Sequence, residues 1–192
     1  MNIKHDREKV LVKGFDLFWS RGYNSLGVAE ICTTTGMTKG AFYNAFESKE
    51  NFLLESIAAY GEMSKEIIGR FVTGDGEKAI HRLRGMYEQM LDMQRGMNCR
   101  GCLVLNTMAE LGIQNSALGK VTTDQFNMVL NIIEPLVKKA QNEGDLIGTM
   151  SSKDLTELIH TTFIGVLTRI KGTHSVKKGK ETMALLINSL AN

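Results

Sequence analysis

The 192-residue chain contains a single proline, and aromatic residues make up only 7% of it. It also lacks any run of alternating β-branched residues, so there is little from which to build a sheet. No stretch approaches the ~18 to 20 consecutive apolar residues of a membrane span, and the N-terminal MNIKHDREKV has no apolar signal core. A cytoplasmic protein with no membrane partner is expected. Three cysteines cannot all pair with one another, which suits thiols in a reducing compartment. Strong charge is missing as well. The net charge is +2, and residues 1–50 carry seven Lys/Arg against six Asp/Glu, so a basic patch depends on how a few cations are displayed. His5, His81, His160 and His174 are scattered without ligand spacing, so neither a metal nor another cofactor is expected.

What is present favours helix. The apolar fraction of 43% is ample for a core, and Leu, Ile, Met, Lys and Glu recur throughout. The fold class expected is all-α. Val10, Leu11, Phe15, Leu17 and Phe18 keep a helical period from Asp6 to Arg21, with Gly22 as the stop and Trp19 as a packing residue.

The most informative stretch runs from Val28 to Glu50. Val28, Ile31 and Cys32 share a helical face, Gly36 supplies a sharp turn, and Met37 is an apolar plug beneath it. Thr38 is placed to N-cap a second helix, whose remaining backbone N–H groups could meet a phosphate. Ala41 is small enough to let the backbone approach a base edge. Phe42 and Phe46 anchor the inner face and leave Lys39, Tyr43 and Asn44 on the outer one. A cation, a phenol and an amide on one face suit phosphate and base contacts on double-stranded DNA. The competing reading is an ordinary helical corner with no DNA role.

Residues 14–50 resemble the N-terminal domain of TetR-type bacterial repressors. The match runs through Leu17, Phe18, Gly22, Tyr23, Ile31, Gly36, Thr38, Lys39, Gly40, Tyr43, Phe46, Ser48, Lys49 and Glu50. Leu26 and Gly27 stand where that family usually has Thr-Ser, Asn44 replaces the commoner His, and Met37 replaces Val. The resemblance implies a three-helix helix-turn-helix domain over 1–50 and a helical effector-sensing and dimerisation domain over 51–192. It implies DNA contacts by Thr38, Lys39, Gly40, Ala41, Tyr43, Asn44 and Lys49.

Ser48 opens the next helix, with Leu53, Ile57, Tyr60, Ile67 and Phe71 as its inner stripe. Lys49 lies in its first turn, unfavourable for the helix dipole, which points to a negative partner outside the chain. A loop, Thr73 to Gly76, precedes a helix to about Arg95 on Ile80, Leu83, Tyr87 and Met90. Met86, Met90, Met93 and Met97 could line an adaptable pocket or fill core.

Cys99 and Cys102 form an isolated C-x-x-C. Zinc would need two further ligands, and a thioredoxin-like reaction would need a βαβ setting. What remains is a thiol at a helix start, where the dipole and Arg100 would favour the thiolate, or a buried small hydrophobe. Gly101-Cys102-Leu103-Val104, followed by a polar residue and Ala109-Glu110-Leu111, is similar to a segment in TetR-type regulators that respond to electrophiles and oxidants, which implies a sensor at Cys102. Cys99, Met90, Met93, Asn106 and Phe126 are its expected companions in sensing or in binding a small-molecule inducer.

A long helix is expected from Gln114 to Asn142, kinked at Pro135. Two more follow, Asp154 to Lys171 and Val176 to Leu190, with Gly165 allowing another helix to approach. Their apolar faces comprise Leu155, Leu158, Ile159, Thr162, Phe163, Val166, Leu167 and Ile170, then Met183, Leu186, Ile187 and Leu190. They would make a four-helix interface in a homodimer, as the resemblance implies, or close the monomer's own core. The function expected is transcriptional repression by a dimer on a palindromic operator, released by a small molecule or by cysteine modification. The rival is an all-α thiol enzyme or redox protein using Cys102 and Cys99, for which no base is placed by sequence.

Overall fold

A computed structural model describes residues 3–74, 76–112 and 115–192, and of residues 3–6 and 116 the backbone only. Among these residues the regular structure is all helical, joined by short turns and loops, apart from an isolated bridge between Leu146 and Ala191. The order is α1 (Ile3–Arg21), α2 (Val28–Thr35), α3 (Lys39–Phe46), α4 (Lys49–Val72), α5 (Ala79–Gly96), α6 (Leu103–Leu111), α7 (Ser116–Asn142), α8 (Ser152–Thr173) and α9 (Val176–Ser189). The expected helix start at Gln114 and the loop residue Asp75 lie outside the described residues. None of the described helices is long and apolar enough to cross a membrane.

The residues group into two compact units, one of 1–63 with 102–126 and one of 64–101 with 127–192. This grouping keeps residues 51–63 and 102–126 with the first fifty rather than dividing the chain at residue 50.

In the first unit α1 ends at Gly22 (φ 76°), whose N–H bonds the Phe18 carbonyl, and α2 ends at Gly36 (φ 79°) in the same left-handed manner. The core is aromatic. Phe52 lies 5.4 Å from Phe42, 4.7 Å from Phe46 and 5.7 Å from Phe18, ring centre to ring centre. A Cβ at Gly14 would sit 2.4 Å from Phe52 Cζ, so α1 needs glycine where it meets α4. Arg7 donates 2.7 Å hydrogen bonds to both Glu55 oxygens and lies over the Phe46 ring. Trp19 is buried, in edge contact with Tyr60, as its packing role requires. On the stripe of α4 the fully buried isoleucine near its end is Ile68 rather than Ile67.

In the second unit α9 packs on α8 and α5. Buried Arg82 donates to the Phe71 and Val72 carbonyls, satisfying acceptors that the end of α4 leaves open. Glu143 accepts from the Ala79 N–H at 2.8 Å, and Lys78 pairs with Asp145 at 2.8 Å. Tyr87, His160 and Phe163 form a buried ring cluster in which burial holds the His160 pKa down to about 4. Pro135 lies inside α7, which continues through it.

The close helix approach is made by Gly179, where a Cβ would lie 2.5 Å from Ile170 Cδ1. Gly165 has open space instead. A further correction concerns the apolar faces of α8 and α9. Leu155, Ile159, Phe163, Val166, Leu167, Ile170, Met183, Ile187 and Leu190 are all buried within the single chain. They close its own core. Leu158 stays 39% exposed, and Thr162 and Leu186 are half-buried. Leu185, outside the predicted stripe, is 68% exposed.

Candidate nucleic-acid interface

The α2–α3 corner is built by local rules. Gly36 turns the chain, and Thr38 is extended (φ −76°, ψ 155°), with its hydroxyl accepting the Ala41 N–H at 3.1 Å. α3 therefore starts at Lys39. Phe42 and Phe46 are fully buried, so the 3.6-residue period turns Lys39, Gly40, Tyr43 and Asn44 outward, and all four are exposed. Tyr43 is 49% exposed even though its ring meets Phe42 edge-on at 5.5 Å, which fixes the ring and leaves the phenol in solvent. Exposed Ala41 and Gly40 have no bulk to keep a neighbouring surface away. Cys32 is buried in the packed head.

Two positions differ from the family pattern in an informative way. Leu26 is buried to 1% exposure and Gly27 N-caps α2 with no side-chain hydrogen bond. A hydroxyl that could meet a phosphate is replaced there by an apolar plug. Lys49 is also not the outward cation expected. Its ammonium donates to the Tyr23 and Leu26 carbonyls, each at 2.9 Å, and sits 3.9 Å from the Tyr23 ring centre. With two carbonyls and a π face around it, it serves the α1–α2 turn rather than a ligand outside. The same turn is gripped by the glutamate of the Ala109-Glu110-Leu111 segment, to which the resemblance around Cys102 attaches no role. Glu110 on α6 accepts the Tyr23 N–H at 3.0 Å and the Asn24 N–H at 2.8 Å.

The expected sensing residues fall in both units. In the first, Cys102 N-caps α6, and the Tyr60 O–H points at its sulfur at 3.9 Å. Burial pushes the Cys102 thiol up, against smaller opposite effects from hydrogen bonds to Leu105, Tyr60 and Val104. This corrects the expectation of a thiol lowered by the helix start and Arg100. Burial of the anion outweighs the oriented N–H groups. Asn106 and Phe126 are half-buried. In the second unit Cys99 is buried with φ 54°, and Met90 and Met93 are half-buried. Cys32, Cys99 and Cys102 are free thiols, and no three His, Cys, Asp or Glu side chains among the described residues gather as a metal site.

Comparison with known proteins gives this geometry a context. Residues 10–56 match the profile described as bacterial regulatory proteins, tetR family, and residues 79–186 match the tetracyclin repressor-like C-terminal domain. The chain is 22% identical over 165 residues to the HTH-type transcriptional repressor DhaR of Mycobacterium sp. (strain GP1), covering 86% of this chain and 82% of that one. It is 34% identical over 115 residues to the HTH-type transcriptional repressor NemR of Escherichia coli (strain K12), spanning 56% of this chain and 55% of NemR. A cysteine mutant of the TetR family regulator CifR, solved in complex with 26-base-pair operator DNA, shares the fold. Its TM-score is 0.78 at 18% identity, over 95% of each chain.

Proposed function

The chain belongs to the TetR family of bacterial regulatory proteins, and on that premise we propose that it represses transcription by binding a palindromic operator as a homodimer in the cytoplasm. As a regulator it is not an enzyme, and the thiol-enzyme reading lapses with that assignment. The observation that carries the DNA-binding proposal is the outer face of α3, where Lys39, Gly40, Tyr43 and Asn44 are exposed over buried Phe42 and Phe46. Lys39, Tyr43 and the Thr38 cap serve the phosphates, and Asn44 with Ala41 meets base edges.

For the dimer, the supporting surface is the part of α8 and α9 that the monomer leaves open. A groove of about 580 Å³ between them is lined by Thr162, Gly165, Arg169 and Thr182 among others, and Leu158 and Leu185 are exposed apolar residues on the same two helices. Pairing about a two-fold axis places operator half-sites one helical turn apart or a multiple of it, on the order of 34 to 36 Å per turn. Release by an inducer requires tighter binding to the arrangement of heads that does not fit the operator, because equal affinity for both arrangements shifts nothing. Cys102, Asn106 and Phe126 in one unit, with Cys99, Met90 and Met93 in the other, are the residues we assign to sensing. Modification of Cys102 is the second route to release.

The test is selection of an operator from random DNA, followed by a salt titration. Lys39→Ala and Tyr43→Phe should weaken binding to all sequences alike, and Lys39→Ala should lower the slope of log affinity against log salt by about 0.9, the release of one counterion. No selected sequence, or two variants that bind like wild type, would overturn the assignment.

A further inference from the structure

Within the α1–α2 turn, residues 22–27, the Leu26 N–H bonds the Tyr23 carbonyl at 3.2 Å, which leaves the N–H groups of Tyr23 and Asn24 and the Leu26 carbonyl to be met from outside the turn. Two charged residues from elsewhere in the first unit do it. Glu110 on α6 accepts the N–H groups of Tyr23 and Asn24 at 3.0 and 2.8 Å, one on each carboxylate oxygen. Lys49, in the first turn of α4, donates to the carbonyls of Tyr23 and Leu26 at 2.9 Å each. The acid takes donors and the base takes acceptors, so neither could replace the other. Gly22 fits the same design. It holds φ 76°, and a Cβ there would approach Glu110 Oε2 to 3.0 Å, so the carboxylate lies against bare backbone. The turn leads straight into α2, and α2 carries α3.

We propose that Glu110 and Lys49 are positioning residues for DNA binding. Together they fix the entry to the helix-turn-helix, and Glu110 makes α6 the helix to which the head is fastened. α6 runs from Leu103 and carries Glu110 next to its last residue. Neither residue touches DNA in this account. Loosening the turn lowers the fraction of heads in the binding-competent arrangement, and apparent affinity falls by that fraction while every phosphate contact is kept.

The functional half of this inference rests on the DNA-binding reading, whereas its structural half does not, and the experiment separates them. Amide hydrogen exchange of the free protein is compared for wild type, Glu110→Ala, Glu110→Gln and Lys49→Met. Exchange at Tyr23 and Asn24 should speed up at least tenfold in Glu110→Ala. In Glu110→Gln only one of the two amides should do so, because a carboxamide offers a single acceptor oxygen. On the selected operator, Glu110→Ala and Lys49→Met should bind about five- to thirtyfold more weakly with an unchanged salt slope, and Glu110→Gln should fall between. Unchanged exchange at both amides in Glu110→Ala overturns the clamp, even for a protein that binds no DNA at all. Faster exchange with wild-type operator affinity overturns the positioning role. A reduced salt slope in Lys49→Met returns Lys49 to the phosphate contacts.

Discussion

Cys102 and Lys49 carry the sharpest lessons at the scale of single residues. Both stand at a helix start, and in both the dominant influence is something local sequence does not encode. For Cys102 it is burial, which favours the neutral thiol. For Lys49 it is a pair of carbonyls from a turn over twenty positions earlier in the chain. A thiol whose folded pKa is raised is protonated at neutrality, so its alkylation by N-ethylmaleimide should climb about tenfold per pH unit from pH 7 through the ordinary thiol range. A plateau near pH 7 would show a lowered pKa and restore the activated-sensor picture. If modification of Cys102 releases the operator, Cys102→Ser should bind DNA normally and stay bound under the reagent.

At the scale of elements, α3 was legible almost residue by residue. Its cap, its anchors Phe42 and Phe46 and its outer face follow from near neighbours, and near-neighbour rules are what a sequence displays. The stripes of α8 and α9 were legible as apolar but not in purpose. A periodic stripe says that a face is covered, without saying by what, and here the cover is the chain itself. Glu110 stands in the Ala109-Glu110-Leu111 of the resemblance around Cys102, but its task was not legible, since a carboxylate bonding two backbone amides looks like any surface Glu until the fold brings them together. Glycines show the same division. Gly14 and Gly172 are alike in sequence, yet a Cβ would meet the Phe52 ring at the first and nothing within 4 Å at the second. Gly14→Ala should therefore lose about 1 to 3 kcal/mol by overpacking. Gly172→Ala should gain up to about 1 kcal/mol by reducing backbone freedom in the unfolded chain. Urea unfolding of the two variants checks both signs, and a Gly14→Ala protein as stable as wild type would mean that α1 and α4 are free to move apart.

For the molecule as a whole, the proposed dimer now depends on residues the apolar stripe alone did not separate. Phe163 is buried in the ring cluster with Tyr87 and His160, so Phe163→Glu places a charge in the core and should unfold the chain rather than divide two intact copies. Leu158→Glu with Leu185→Glu should instead give a folded monomer with weakened operator binding. Light scattering beside a thermal melt distinguishes the two results, and a double variant that remains dimeric would move the interface elsewhere. The turn held by Glu110 and Lys49 has one more consequence, for how such a chain can vary through descent. The grip is on backbone atoms, so the side chain of Asn24 can drift, while Ser25 keeps its own bond to the Arg21 carbonyl and the two residues that hold the turn are inherited as a set. Specificity for new operators can then be explored on α3 without reopening the joint behind it.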